Sequence, residues 1–176
     1  LKLKEYGIPA LIVDNNWNEL RDARAAGLTT HYGEILSETA EFAVDFGSYG
    51  TFIAATDNDA YNTLVINDYA FDFGRRNVFQ LAPAPRKLGT AAEAAFTLGG
   101  RPLLAGQSAL NEFARGSDDV AFSATKLTSK FDLSQLLASK DARWVPVLAI
   151  KPDKSILVAA ADTEFAPSAD DIVIGH

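Results

Sequence analysis

Gly7-Ile8-Pro9-Ala10-Leu11-Ile12-Val13-Asp14-Asn15-Asn16 is a short apolar run that ends in an acid and passes straight into a helix cap. In a doubly wound α/β unit, an acid at the carboxyl end of the second strand holds the ribose diol of a bound nucleotide. A carboxylate there accepts both hydroxyl hydrogen bonds, which a neutral side chain cannot do bidentately, so Asp14 is the leading candidate binding residue. The glycine-rich turn that accompanies such an acid lies about 20 residues upstream of it, whereas 13 residues precede Asp14 here. The chain has no methionine, and Leu1 to Tyr6 reads as the last turns of a helix. The expectation is therefore that the first strand and its glycine turn lie upstream of Leu1.

Outward from this stretch, strand and helix signals alternate. Asn16 is placed to cap a helix with Glu19 three residues on, and Trp17, Leu20 and Ala23 recur at helical spacing until Gly27. Leu28 to Tyr32 reads as the next strand and runs into Gly33-Glu34. Ser37 starts a helix whose Phe42, Ala43 and Phe46 form one apolar face as far as Gly47. Thr51 to Ala55 is a continuous apolar strand, the pattern of a parallel sheet covered on both faces. Thr56-Asp57-Asn58-Asp59 caps a long helix over about Ala60 to Phe73, closed by Gly74, and Asn77 to Leu81 follows as a strand. This alternation predicts an α/β fold with a parallel sheet.

The pattern changes after the two-proline connector Ala82-Pro83-Ala84-Pro85. Strands are expected at Ala94 to Leu98, Val120 to Thr125, Trp144 to Ile150, Ser155 to Ala160 and Asp171 to Ile174. Short helices are expected between Ser108 and Gly116 and after the capping box Asp132/Gln135. The predicted organisation is an α/β parallel-sheet domain over residues 1–84, lacking its first strand and glycine-rich turn, and a small, mainly antiparallel α+β subdomain over residues 88–176. Asp170-Asp171 reads as a solvated turn, and Phe71, Phe73 and Phe79 as core or dimer contacts.

Composition excludes several classes of function. Of the 176 residues, 48% are apolar and 22% charged, which is a globular balance. The absence of cysteine removes disulfides, thiolate catalysis and zinc-thiolate sites. A formal net charge of −7 opposes non-specific association with nucleic acid or anionic lipid, both of which need clustered Lys and Arg. Only two histidines occur, His31 in an expected strand and His176 at the terminus, so a His-based metal site or triad has little to work with. Asp57-Asn58-Asp59 starts like a calcium loop, but Tyr61 and Asn62 break that pattern, so helix capping is expected and no metal is assigned. No apolar run reaches the roughly 18 residues of a membrane span.

Gly7-Ile8-Pro9 with Val13-Asp14, Ala25-Ala26-Gly27-Leu28, Tyr32-Gly33-Glu34 and Ala54-Ala55-Thr56-Asp57-Asn58-Asp59 with Asn62 resemble the nucleotide-binding half of RCK (KTN) domains. Those are cytoplasmic regulatory domains of potassium channels, Trk-type potassium uptake systems and monovalent cation:proton antiporters. Trp144 to Ile150, the hairpin to Val158, and Phe165-Ala166-Pro167-Ser168-Ala169-Asp170-Asp171-Ile172-Val173-Ile174 resemble the companion carboxyl-terminal subdomain. Ala169 stands where that family shows glycine. The middle, Gly89 to Asp119, is most similar to the version fused to sodium or potassium:proton antiporters.

The resemblance implies a Rossmann-like fold and a set of cofactor-binding residues. Asp14 would hold the adenosine ribose with Asn16 beside it, Gly33 and Glu34 would face the adenine edge, and Thr56 and Asp57 would close the pocket. It implies NAD(H) or an adenine nucleotide (ATP, ADP or AMP) as ligand of the full-length protein, while the phosphate cradle of the glycine turn has no counterpart in these residues. It further implies a homodimer, a membrane transport domain in the same or a partner chain, no nucleic acid, and a place on the cytoplasmic side of a bacterial inner-membrane transporter. No catalytic residue is assigned. An NAD(P)-dependent oxidoreductase fragment is the alternative from another class, but it needs a proton donor, and no Tyr-x-x-x-Lys pair or poised His stands near Thr56 or Leu81. A free-standing regulatory subunit of a potassium uptake system is a third reading.

Overall fold

The computed structural model of the protein describes residues 1–81, 99–103, 122–141 and 144–176. The chain forms two compact units, Leu1–Gly50 and Thr51–His176. The connector proposed as a boundary, the strand at Ala94 to Leu98 and the helix between Ser108 and Gly116 lie outside the described residues.

In the first unit, α1 (Lys2–Glu5) precedes β1 (Leu11–Asp14), α2 (Trp17–Ala25), β2 (Thr29–Tyr32), α3 (Glu38–Ala43) and a single 3₁₀ turn, Phe46–Ser48. β1 and β2 pair in parallel, with Leu11 opposite Thr29 and Asp14 opposite Tyr32. Parallel neighbours require a crossover, and α2 supplies it. Asn16 caps α2 by accepting from Asn18 N at 3.0 Å rather than through a box with Glu19. Leu20 is fully buried, so it anchors the helix; burial of one such side chain stabilises by roughly 1.5–3 kcal/mol. At the other end of α2, Gly27 takes φ +72°, and a Cβ there would collide with the Lys4 ammonium, which donates to Ala26 O at 3.2 Å. The Lys4 side chain thereby satisfies a terminal carbonyl and sits at the negative end of the helix.

Two expectations about α3 are corrected. Ser37 does cap it, accepting from Ala40 N at 3.2 Å, but the helix stops at Ala43, and Phe46 belongs to the 3₁₀ turn. The buried residue is Ala40, whereas Phe42 is 88% exposed. Two residues along a helix is a rotation of about 200°, so once Ala40 faces inward Phe42 faces water.

The second unit opens with β3 (Phe52–Ala54), α4 (Asp59–Phe73), β4 (Val78–Leu81) and β5 (Arg101–Leu103), a parallel sheet in the order β3-β4-β5. Asn58 caps α4 by accepting from Tyr61 N at 3.0 Å, and Gly74 at φ +77° follows its last residue. α4 packs on the sheet through Ile66 and Ala70 against Ala54 and Val78, with the Phe52 and Tyr69 rings stacked 4.8 Å apart. Ile53 is on the exposed side, so β3 is not covered on both faces within the described residues. Phe79 is in the core and Phe73 is partly buried, while Phe71 is exposed.

The remaining elements are β6 (Ser123–Lys126), α5 (Leu133–Ser139), β7 (Pro146–Ile150), β8 (Ile156–Val158) and β9 (Ile172–Gly175). Their sheet is antiparallel throughout, in the order β6-β9-β7-β8. The Asp132/Gln135 capping box forms in both directions, and Leu136 packs with Leu127, Ala149 and Val173. The two sheets of this unit join where Leu103 bridges Ala160 and Ala161 N donates to Pro102 O at 2.8 Å. Phe79, Leu81, Leu103, Val158 and Ala160 form the apolar cluster at that junction.

Asp171 also departs from expectation. It is 2% exposed rather than solvated. Its Oδ2 accepts from Ser168 N at 2.8 Å and lies 3.6 Å from Lys151 Nζ. The solvated member of the pair is Asp170, which takes φ +73° and meets Lys126 at 2.9 Å. The left-handed residue of this turn is thus Asp170, not Ala169, and Asp is one of the few side chains that accept that conformation at modest cost.

Candidate functional site

The carboxyl ends of β1 and β2 bring four of the six candidate residues together. Asp14 is the last residue of β1, and its Oδ1 accepts from Asn16 N at 2.7 Å, closing the tight turn into α2. Among the described residues Oδ2 of Asp14 carries no hydrogen bond, so one carboxylate oxygen and the second lone pair of the other remain for a ligand. Asn16 lies beside it through its backbone, since its side chain is committed to the α2 cap. Gly33 N donates to Asp14 O at 3.0 Å, which extends the β1–β2 pairing by one residue. Gly33 takes φ +139°, a backbone conformation that favours glycine. Glu34 follows, and its Oε1 accepts from Asn15 Nδ2 at 2.6 Å, tying the two strand-end loops to each other. Glu34 O in turn receives Ser37 Oγ at 2.6 Å, so the loop is fastened to the start of α3.

Thr56 and Asp57 belong to the second unit, at the end of β3. Thr56 is not an open hydroxyl, because its Oγ1 donates to Asn62 Oδ1 at 2.7 Å. Thr56 N donates to the same oxygen at 3.0 Å, and Asn62 Nδ2 donates to Thr56 O at 2.9 Å. Asn62 is fully buried. It sets the course of the loop that carries Asp57, which is exposed. In the sequence Asn62 stands only as part of a motif, and its place on the face of α4 that carries Val65, Ile66 and Tyr69 is the signal of a structural task, since a buried carboxamide must find partners.

A second group beside the β1–β2 end carries no mark in the sequence. The Trp17 and Tyr32 rings meet edge to face, with centroids 5.5 Å apart and planes at 81°. The Arg24 guanidinium carbon lies 4.4 Å from the centre of the Trp17 ring, and Arg24 Nε donates to Thr30 Oγ1 at 2.6 Å. On β2, the ring nitrogen Nε2 of His31 is buried and has no hydrogen-bond partner among the described residues. Among the described residues no cluster of three or more His, Asp or Glu side chains is placed to hold a metal ion, and no helix is long and apolar enough to cross a membrane.

No protein-family model and no curated protein matches the chain. Among solved structures it is similar to the crystal structure of the GsuK RCK domain, with a TM-score of 0.44 and 13% identity over 98% of this chain and 39% of that one. It is also similar to the GsuK channel bound to NAD, with a TM-score of 0.45 and 13% identity over 98% of this chain and 32% of that one. The chain therefore spans well under half the length of either structure.

Proposed function

We propose that this chain is a nucleotide-sensing regulatory domain of the RCK type, acting on the cytoplasmic side of a monovalent cation transport system, with a cation:proton antiporter as the transporter it serves. The observation that carries this reading is Asp14. It is an acid at the carboxyl end of a parallel strand, with Oδ2 unengaged among the described residues, beside the Gly33-Glu34 bend of the neighbouring strand. That is the chemistry of a ribose-diol acceptor in a doubly wound fold. The ligand is NAD(H) or an adenine nucleotide. The role is regulatory rather than catalytic: the ligand favours one arrangement of a homodimer and so biases an attached membrane domain through its different affinity for the two states. Calorimetry of the intact protein with NAD and ADP tests the reading. Binding by the wild type, reduced at least tenfold in Asp14→Ala, supports it, and equal affinity in the two proteins overturns it.

A further inference from the structure

The two sheets of the second unit meet along a short line. Among the described residues their backbones share the Leu103–Ala160 bridge and the hydrogen bond from Ala161 N to Pro102 O at 2.8 Å. Pro102 has no N–H to donate, so the ladder cannot lengthen through that residue. The polar connection passes instead to the side chain of Arg101, the first residue of β5. Its Nε donates to Asp162 Oδ2 at 3.0 Å and its Nη2 to Asp162 Oδ1 at 3.0 Å, a two-pronged grip on a carboxylate in the loop after β8. Nη2 also donates to Thr163 Oγ1, and Nη1 donates to Arg76 O at 3.1 Å, in the turn that leads into β4. The guanidinium carbon lies 5.1 Å from the centre of the Phe79 ring, which belongs to the apolar cluster at the junction.

One side chain thus ties together three segments that are distant in sequence, with all three guanidinium nitrogens engaged. Only a planar fork can do this, because a lysine ammonium meets a carboxylate at a single point. The tie is also one that water can open, since the side chains of Arg101 and Asp162 are 23% and 40% exposed. We infer that Arg101 and Asp162 form a latch between the parallel and the antiparallel sheet. With the latch closed, the Leu103–Ala160 bridge holds and the two sheets move as one body. With it open, the bridge and the Ala161 N–H part from β5, and the antiparallel sheet moves separately. Arg101 is a positioning residue that acts on the antiparallel sheet through Asp162. Under the regulatory reading above, on which this use of it rests, the latch passes a ligand-driven change from the parallel sheet to the carboxyl-terminal subdomain.

Amide hydrogen exchange of the intact protein, read peptide by peptide, tests the latch in wild type, Arg101→Ala, Arg101→Lys, Asp162→Asn and the exchanged pair Arg101→Asp with Asp162→Arg. Without ligand, Arg101→Ala and Asp162→Asn are expected to speed exchange across residues 156–163 by about tenfold or more, while α4, β4 and β9 exchange as in the wild type. Arg101→Lys should fall between, and the exchanged pair should recover slow exchange. Asp162→Asn leaves β5 untouched and carries the test should Arg101→Ala not fold. If exchange rises equally in every segment, the fork only adds stability and the latch is wrong. If it rises nowhere, the backbone bridge and the apolar cluster hold the sheets unaided, and the latch is equally wrong. Added NAD is expected to change exchange across residues 156–163 in the wild type and not in Arg101→Ala. A junction that opens in the variants but ignores NAD in every protein overturns the regulatory use and leaves the latch standing.

Discussion

Asn62 closes on Thr56 from both sides of its carboxamide, accepting from Thr56 N and Oγ1 at 3.0 and 2.7 Å and donating to Thr56 O at 2.9 Å. The loop after β3 is thus held by a side chain from the first turns of α4, six residues away. Replacing Asn62 with Ala would leave the Thr56 N–H and C=O without their partner in a site Asn62 now fills at 0% exposure. A cost of about 2–4 kcal/mol follows from losing these bonds together. Asn62→Asp is expected to be no better, because its second oxygen would face Thr56 O in place of a donor. Urea denaturation of the two variants measures both effects, and a change below about 0.5 kcal/mol in Asn62→Ala would contradict the account.

Asp171 offers a way to separate a hydrogen bond from a charge. Its Oδ2 takes the Ser168 N–H at 2.8 Å, and Lys151 Nζ stands at 3.6 Å. Asp171→Asn keeps an acceptor for Ser168 and loses only the attraction to Lys151, whose own side chain is 36% exposed; solvent screening limits that loss to about 1 kcal/mol or less. Asp171→Ala loses both the charge and the acceptor for the Ser168 N–H, at a cost of about 1–3 kcal/mol. Thermal unfolding should rank wild type above Asn and Asn above Ala. If the Asn variant is as damaged as the Ala variant, the ion pair outweighs the hydrogen bond.

These two residues also mark where the sequence stopped being readable. Local chemistry was legible: Asn16, Ser37, Asn58 and the Asp132/Gln135 pair all cap the helices they precede, because a cap depends on a few adjacent residues. The parallel pairing of the first strands followed from their alternation with helices, and Asp14 ends its strand as expected. What depends on distant partners was hidden. β5 contains Pro102, which cannot donate to a ladder, and spans only Arg101–Leu103, so nothing local announces a strand. Asp171 reads as a turn acid because its cationic partner Lys151 lies far from it along the chain. The Trp17–Arg24–Tyr32 contact joins a helix face to a neighbouring strand, and no spacing rule along one element reports it. Phe42 departs for a different reason: α3 ends at Ala43 and Phe46 lies in the 3₁₀ turn, so Phe42, Ala43 and Phe46 never share one helical face.

Asp153 supplies a pH-dependent signature in the turn between β7 and β8. Its Oδ1 accepts from Ser155 Oγ at 2.7 Å and from Ser155 N at 2.9 Å, and these bonds hold its carboxyl below the ordinary carboxylate range, with the hydroxyl as the larger cause and Lys151 assisting. A depressed folded-state value means the turn gains stability above the ordinary carboxylate value, and the gain disappears as pH falls through the depressed one. Ser155→Ala removes the larger cause, so the Asp153 carboxyl should titrate at higher pH than in the wild type. Carbon-detected NMR of the side-chain carboxyl reads this directly, and an unchanged midpoint would show that the backbone N–H alone holds the group.

Gly175, the last residue of β9, has no room for a side chain. A Cβ there would meet Val145 O and the Trp144 ring at distances no real Cβ adopts. Neither neighbour can yield cheaply. Val145 is tied to His176 by two backbone hydrogen bonds, at 2.7 and 3.0 Å, which extend the β7–β9 ladder, and Trp144 is pinned by its Nε1 bond to Ser123 Oγ at 2.9 Å. The backbone of Gly175 is not left-handed, so the requirement for glycine is one of space alone. Gly175→Ala should therefore destabilise by about 1–3 kcal/mol through overpacking, and the strain should fall on Trp144. The Trp144→Leu change, which removes the ring's Nε1 and part of its bulk, is expected to recover part of the loss when combined with Gly175→Ala, so the double variant should be less destabilised than the sum of the singles. Chemical denaturation of the four proteins completes the cycle, and strict additivity would mean that the methyl group is accommodated without moving Trp144.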